Sequence, residues 1–118
     1  GNPLACAVAT AVVNEILKPK LLEGVRQKGK YLKEQLKSFV KKYPNHLAEI
    51  RGEGLMLGLK CLTKNLNIIE ECRNEKLLVV AGGENTIRIL PPLNIKINEI
   101  NQALNKLERA LSKLEIKL

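Results

Sequence analysis

Arg88 lies in the stretch Thr86-Ile87-Arg88-Ile89-Leu90-Pro91-Pro92-Leu93. Strand alternation there puts Ile87 and Ile89 on one face and Arg88 on the other. The two isoleucines call for a core. Pro91 and Pro92 donate no backbone hydrogen bond, so the pairing ladder has to end at them. A guanidinium held on a rigid strand and turned away from the core suits bidentate capture of a carboxylate. The plain alternative is an arginine solvated on an open sheet face.

Few other residues could carry chemistry. His46 is the only histidine, so neither a zinc site nor a Ser-His-Asp triad can be assembled. Cys6, Cys61 and Cys72 are odd in number and lack CxxC spacing. They point to reduced, mostly buried thiols in an intracellular protein, not to a disulfide framework. Gly52, Gly54 and Gly58 invite comparison with a phosphate loop. Such a loop follows a strand and opens a helix, whereas here a strand follows, so hairpin glycines are the better account. Gly58, inside that strand, predicts close approach of another backbone or a ligand.

The chain of 118 residues makes one domain with room for a core. Its aromatics are Tyr31, Phe39 and Tyr43, so the core must be built from Leu, Ile, Val and Ala. Formal net charge is +8; all 12 acids are Glu, and most of the 20 cations are Lys. A basic balance raises nucleic acid or anionic lipid as partners. The lysines are scattered along polar helix faces, and so few aromatics leave no base-stacking platform. No signal peptide and no membrane-spanning apolar run appear.

The elements that must position Arg88 follow from the periodicities. Asn2 can cap a helix and Pro3 suits its first position. Leu4 to Leu17 is small and apolar nearly all round, the pattern of a helix buried on most sides. Its full set of partners is expected outside this chain, which makes self-association of the chain plausible. Pro19 closes that helix. From Lys20 to Tyr43, the residues Leu22, Val25, Gly29, Leu32, Leu36, Phe39 and Tyr43 recur every three or four positions, giving an amphipathic helix that ends near Pro44. Leu55, Leu57, Leu59 and Cys61 alternate with Met56, Gly58, Lys60 and Leu62. This predicts strand, tight turn at Gly52-Glu53-Gly54, strand. A short helix over 65–76 turns Leu66, Ile69 and Cys72 inward. Leu77 to Ala81 and Thr86 to Leu90 form a second hairpin around Gly82-Gly83-Glu84-Asn85. Asn98 caps a last helix with the stripe Ile100, Leu104, Leu107, Leu111 and Leu114. The fold class is α+β, a small, largely antiparallel sheet with helices on one face, preceded by a long linking helix. Arg88 points to the uncovered face. The chain starts at Gly1-Asn2-Pro3 without an initiator methionine and reads as a piece of a longer polypeptide.

Four motifs occur in order: Gly1-Asn2-Pro3-Leu4-Ala5-Cys6, Arg51-Gly52-Glu53-Gly54-Leu55-Met56-Leu57-Gly58, Leu77-Leu78-Val79, and Thr86 to Leu93. In this order and spacing the sequence resembles the C-terminal part of the class III, pyridoxal-phosphate-dependent aminotransferases. It is most like the members that act on N-acetylornithine in arginine biosynthesis. The resemblance implies a type I pyridoxal-phosphate fold, a homodimeric cytoplasmic enzyme, and amino acid and 2-oxo acid substrates exchanged in a ping-pong cycle. It makes residues 1–18 a helix linking to a large cofactor domain and residues 19–118 the small C-terminal domain. It gives Arg88, the arginine of the R-x-x-P-P pattern, the substrate's α-carboxylate. The Schiff-base lysine, the aspartate for the pyridinium nitrogen and the ring-stacking aromatic are expected upstream of Gly1. So is the Ser/Thr that holds the cofactor phosphate. No catalytic, cofactor-binding or metal residue is therefore assigned here, and the chain alone is expected to be inactive. Gly1, Asn2 and Pro3 serve to begin the helix. Ornithine, 4-aminobutyrate and succinylated-diamine aminotransferases remain open within the family. A stand-alone basic module gripping an anion or nucleic acid is the reading from a different class.

Overall fold

The computed structural model describes residues 2–118, so the part of the helix-start signal that falls on Gly1 lies outside it. The elements run α1 (Pro3–Ile16), α2 (Pro19–Lys42), β1 (Leu47–Glu53), β2 (Met56–Cys61), α3 (Asn65–Asn74), β3 (Val80–Gly82), β4 (Thr86–Ile89) and α4 (Ile97–Ile116). The four strands form one antiparallel sheet in the order β1-β2-β4-β3. Helices cover one face, and the predicted α+β layer is what forms.

The core lies between that face and the helices. Leu57 and Leu59 of β2 and Ile87 of β4 meet Leu32 and Leu36 of α2. Ile68 and Cys72 of α3 and Ile100, Leu104, Leu107 and Leu111 of α4 complete it. The α2 and α4 stripes are those expected from their spacing. Burial pushes the Cys72 thiol up to about 12, leaving it unreactive. Cys61 is buried as well, whereas Cys6 is exposed on α1.

The hairpin joining β1 to β2 turns at Gly54-Leu55 and not at Gly52-Glu53-Gly54, since Gly52 and Glu53 continue β1 and Glu53 pairs with Met56. Gly54 supplies the positive φ, 57°, that the turn's first central residue needs. At Gly52, with φ 110°, a β-carbon would fall 2.1 Å from the Met56 carbonyl oxygen. A register shift between Leu47 and Glu49 lets both Leu47 and Ile50 face the core, although they are three residues apart.

Three expectations need correction. First, α3 stops at Asn74 and β3 begins only at Val80. The Leu77 N–H is donated to the Cys72 carbonyl (2.8 Å) and the Lys76 N–H to that of Arg73 (2.9 Å), with Lys76 at φ 62°. This is a Schellman ending, so Leu77 is used up in the helix cap instead of a strand. Second, Leu66 is exposed, and Ile68 takes the inward place beside Ile69 and Cys72. Third, α4 is capped at Lys96, whose N–H is received by the Glu99 carboxylate at 3.0 Å; Asn98 lies inside the first turn. Within this chain α1 has no buried residue: Leu4, Val8, Val12, Val13 and the capping Leu17 are each at least half exposed. Its capping is as expected, with Asn2 Oδ1 receiving the Leu4 N–H at 2.9 Å.

Candidate functional site

Arg88 stands where alternation puts it. Ile87 beside it is fully buried, Ile89 half-buried, and Arg88 itself exposed on the open face. β4 is an interior strand, flanked by β2 and β3, so its backbone is fixed from both sides. The hairpin that carries it is also tied down at its tip. The Asn85 amide donates to the carbonyls of Cys61 (3.0 Å) and Thr63 (2.8 Å). Its oxygen receives the Asn65 N–H at 2.8 Å, capping α3 from a distance. The Asn65 side chain answers by donating to the Thr86 carbonyl at 3.0 Å. A turn signal marked Asn85 in the sequence; that its side chain locks the loop onto α3 was not visible there.

Register sets what lies beside Arg88. Arg51 of β1 pairs with Gly58 of β2, Gly58 with Arg88, and Arg88 with Val80 of β3. Two arginines thus flank a glycine in one row on the uncovered face. Between them opens a depression of about 360 Å³, lined by Arg51, Met56, Gly58, Thr86, Arg88 and Leu90 among others. What crowds Gly58 is a side chain and not the backbone or ligand expected: a β-carbon there would sit 3.1 Å from the Thr86 methyl, and at an ordinary 3.6 Å from the Ile87 carbonyl oxygen.

The two arginines differ in charge balance. Arg51 is held by Glu49 at 2.6 Å and by Glu84 at 3.3 Å, and these carboxylates raise its pKa, Glu49 foremost. Among the described residues no carboxylate pairs with Arg88 and no hydrogen bond takes its guanidinium. An exposed cation on an interior strand, facing a depression and free of a local partner, can receive a carboxylate in two parallel hydrogen bonds.

His46 belongs to a different place. It is buried just before β1, with Glu115 in the last turn of α4 at 3.1 Å and the Thr63 hydroxyl in the loop between β2 and α3 at 3.3 Å. It faces the β2–α3 loop and α4, away from the open sheet face. Among the described residues no group of His, Cys, Asp and Glu could hold a metal ion, and no helix is long and apolar enough to cross a membrane.

The residues of this chain do not fit pyridoxal phosphate. There is no aspartate in the sequence to pair with a pyridinium nitrogen. None of the lysines is buried, so none is desolvated as an amine nucleophile requires.

The family model for class-III aminotransferases matches residues 1–111. The acetylornithine aminotransferase of Brucella melitensis biotype 1 is 42% identical over 103 residues, which are 87% of this chain and 26% of that protein. The enzyme of the same name from Prochlorococcus marinus is 46% identical over 105 residues, 85% of this chain and 25% of that protein. Among solved structures, the N-acetylornithine aminotransferase of Stenotrophomonas maltophilia superposes with a TM-score of 0.90 at 26% identity, covering 100% of this chain and 33% of that one. The chain spans about a quarter of the length of the curated relatives it matches.

Proposed function

Since the chain belongs to the class-III aminotransferase family, we propose that it serves as the small C-terminal domain of an acetylornithine aminotransferase. In that enzyme an amino group passes between N-acetylornithine and 2-oxoglutarate in arginine biosynthesis. Residues 1–18 are the linking helix, and residues 19–118 are the small domain. The name rests on relatives that are 42% and 46% identical over most of this chain. Ornithine, 4-aminobutyrate and succinylated diamines are the competing amino donors within the family.

The role of this chain is to bind and orient. Arg88 takes the α-carboxylate of the amino acid and of the 2-oxo acid. Orientation of the substrate decides which bond stands ready to break, so a fixed carboxylate contact serves rate as well as affinity. The observation that carries the assignment is the Arg88 guanidinium, without a partner among the described residues, on an interior strand. Pyridoxal phosphate is bound by the rest of the enzyme, since the side chains here do not suit it. A homodimer in the cytoplasm is the assembly consistent with the family and with three cysteines free of disulfides. The Lys-rich flank of α2 offers a basic module only scattered cations, and a salt-dependent shift with random DNA would revive that reading.

In the full-length enzyme, Arg88→Ala should raise KM for both amino acid and oxo acid by more than about tenfold, the scale of a lost charge-assisted bidentate pair. Steady-state kinetics with each substrate varied in turn measures this, and unchanged constants would refute the assignment. The 118-residue chain alone, mixed with pyridoxal phosphate, should show neither a protein-bound cofactor absorbance band nor transaminase turnover.

A further inference from the structure

The geometry points to Gly82 as a positioning residue for Arg88: its bare backbone is the bed on which the arginine stem lies. The inference rests on the carboxylate role given to Arg88 above. A β-carbon at Gly82 would stand 3.1 Å from Arg88 Nε, 3.2 Å from Cγ and 3.6 Å from Cδ. All three contacts fall on one side chain, and they follow its length. The contacts to Nε and Cγ are tight enough that the arginine stem would have to shift by a few tenths of an ångström, while that to Cδ is ordinary packing.

Other reasons for glycine at position 82 fail. Its φ is not in the left-handed region, where among the described glycines only Gly52 and Gly54 lie. β3 is an edge strand, paired only with β4, so no further strand crowds it. Gly83 next to it has no heavy atom within 4 Å of a built β-carbon. The two adjacent glycines therefore have different jobs: Gly83 has open space, and Gly82 has Arg88.

The direction of the lean matters. A β-carbon on Gly58, on the opposite flank, would meet Thr86 and the Ile87 carbonyl but not Arg88. The stem thus lies toward β3, away from Arg51. That keeps two cations apart and leaves the depression between them open for an anion. A side chain at position 82 would push the stem back toward Gly58, moving the guanidinium toward Arg51 and into the space the carboxylate needs.

The test is a double-mutant cycle in the full-length, cofactor-loaded enzyme, with Gly82→Ala, Gly82→Val and Gly83→Val, each made with Arg88 intact and with Arg88→Ala. With Arg88 intact, Gly82→Val should raise KM for amino acid and oxo acid by about fivefold, with Gly82→Ala doing less and kcat moving less than KM. Gly83→Val should leave both constants alone. In the Arg88→Ala background, Gly82→Val should add nothing. A KM unchanged by Gly82→Val while Arg88→Ala is impaired would overturn the inference and spare the carboxylate reading. An equal rise in both backgrounds would also overturn it, since it would mean a perturbed sheet. If Arg88→Ala itself is without effect, the carboxylate reading falls and this inference with it.

Discussion

Gly29 sits in the apolar stripe of α2, where a larger residue would be the ordinary choice. A β-carbon there would come within 2.6 Å of the Gly54 carbonyl oxygen and 2.9 Å of its α-carbon. The helix therefore rests on the backbone of the β1–β2 turn, and that turn already needs positive φ at Gly54. Two effects compete when Gly29 becomes alanine. Helix propensity gains about 1 kcal/mol, and overpacking costs about 1–3 kcal/mol. The obstacle is strand-turn backbone that cannot swing aside, so the cost should win and the thermal midpoint of the chain should fall. Gly24 is the internal control, because a β-carbon there meets only Lys28 Nζ at 4.0 Å. Gly24→Ala should raise the midpoint by a few degrees, roughly what 1 kcal/mol or less produces in a domain of this size. A Gly29→Ala protein as stable as the Gly24→Ala protein would show that α2 does not dock on the turn. Periodicity placed Gly29 in the stripe. What it touches became visible only once the hairpin was folded beneath it.

At the scale of elements, α3 is clasped to α4 by charges. Glu75 is paired with Lys113 (2.6 Å) and Arg109 (3.0 Å), and Glu71 with Lys117 (2.6 Å). Lys113, with Arg109 behind it, holds the Glu75 carboxyl below the usual carboxylate range, and Lys117 does the same for Glu71. The sign is then fixed. A folded-state pKa below the unfolded one stabilises at pH above the unfolded value, about 4.3 for glutamate, and is lost as pH falls through the folded value. The thermal midpoint should decline on acidification from about pH 5 toward pH 3. Glu75→Gln should flatten that decline while lowering the midpoint at pH 7. Equal slopes for both proteins between those pH values would sink the clasp. The elements themselves were largely legible, because each rests on a local pattern: alternation for β2 and β4, the stripes of α2 and α4. The misses were places where a local signal was absent. No glycine marks the end of α3, because Lys76 takes the left-handed position. No residue type announces the shift between Leu47 and Glu49. Of the site, Arg88 and its facing could be read from neighbours in sequence. The row Arg51–Gly58–Arg88 could not, since it depends on β2 pairing with a strand that follows α3 and β3.

The whole molecule is longer than a compact domain of its length. Its radius of gyration is 16.3 Å and its extents are 55 × 28 × 23 Å, against about 13.5 Å expected for a compact chain of this size. α1 is the reason: it carries Leu4, Val8, Val12, Val13 and Leu17 largely in solvent, with only Ile16 partly covered. Leu4, Val8 and Val12 recur every four residues, so they line one side of the helix. A helix of 14 residues is marginal in water by itself, even with Asn2 capping its start. Covering the half or more of each Leu or Val that is still exposed would contribute about 1 kcal/mol apiece, a gain that adds up along the helix. On the linking role proposed for residues 1–18, the rest of the enzyme would supply the covering surface. In the chain alone another copy of α1 offers a matching apolar surface. The isolated chain should therefore self-associate in the tens of micromolar range, and Val8→Lys with Val12→Lys should return it to a monomer with an unchanged α/β core. Light scattering on both proteins decides the matter. A monomeric parent chain would mean that α1 needs no partner, and the linking role given to residues 1–18 would lose its physical basis.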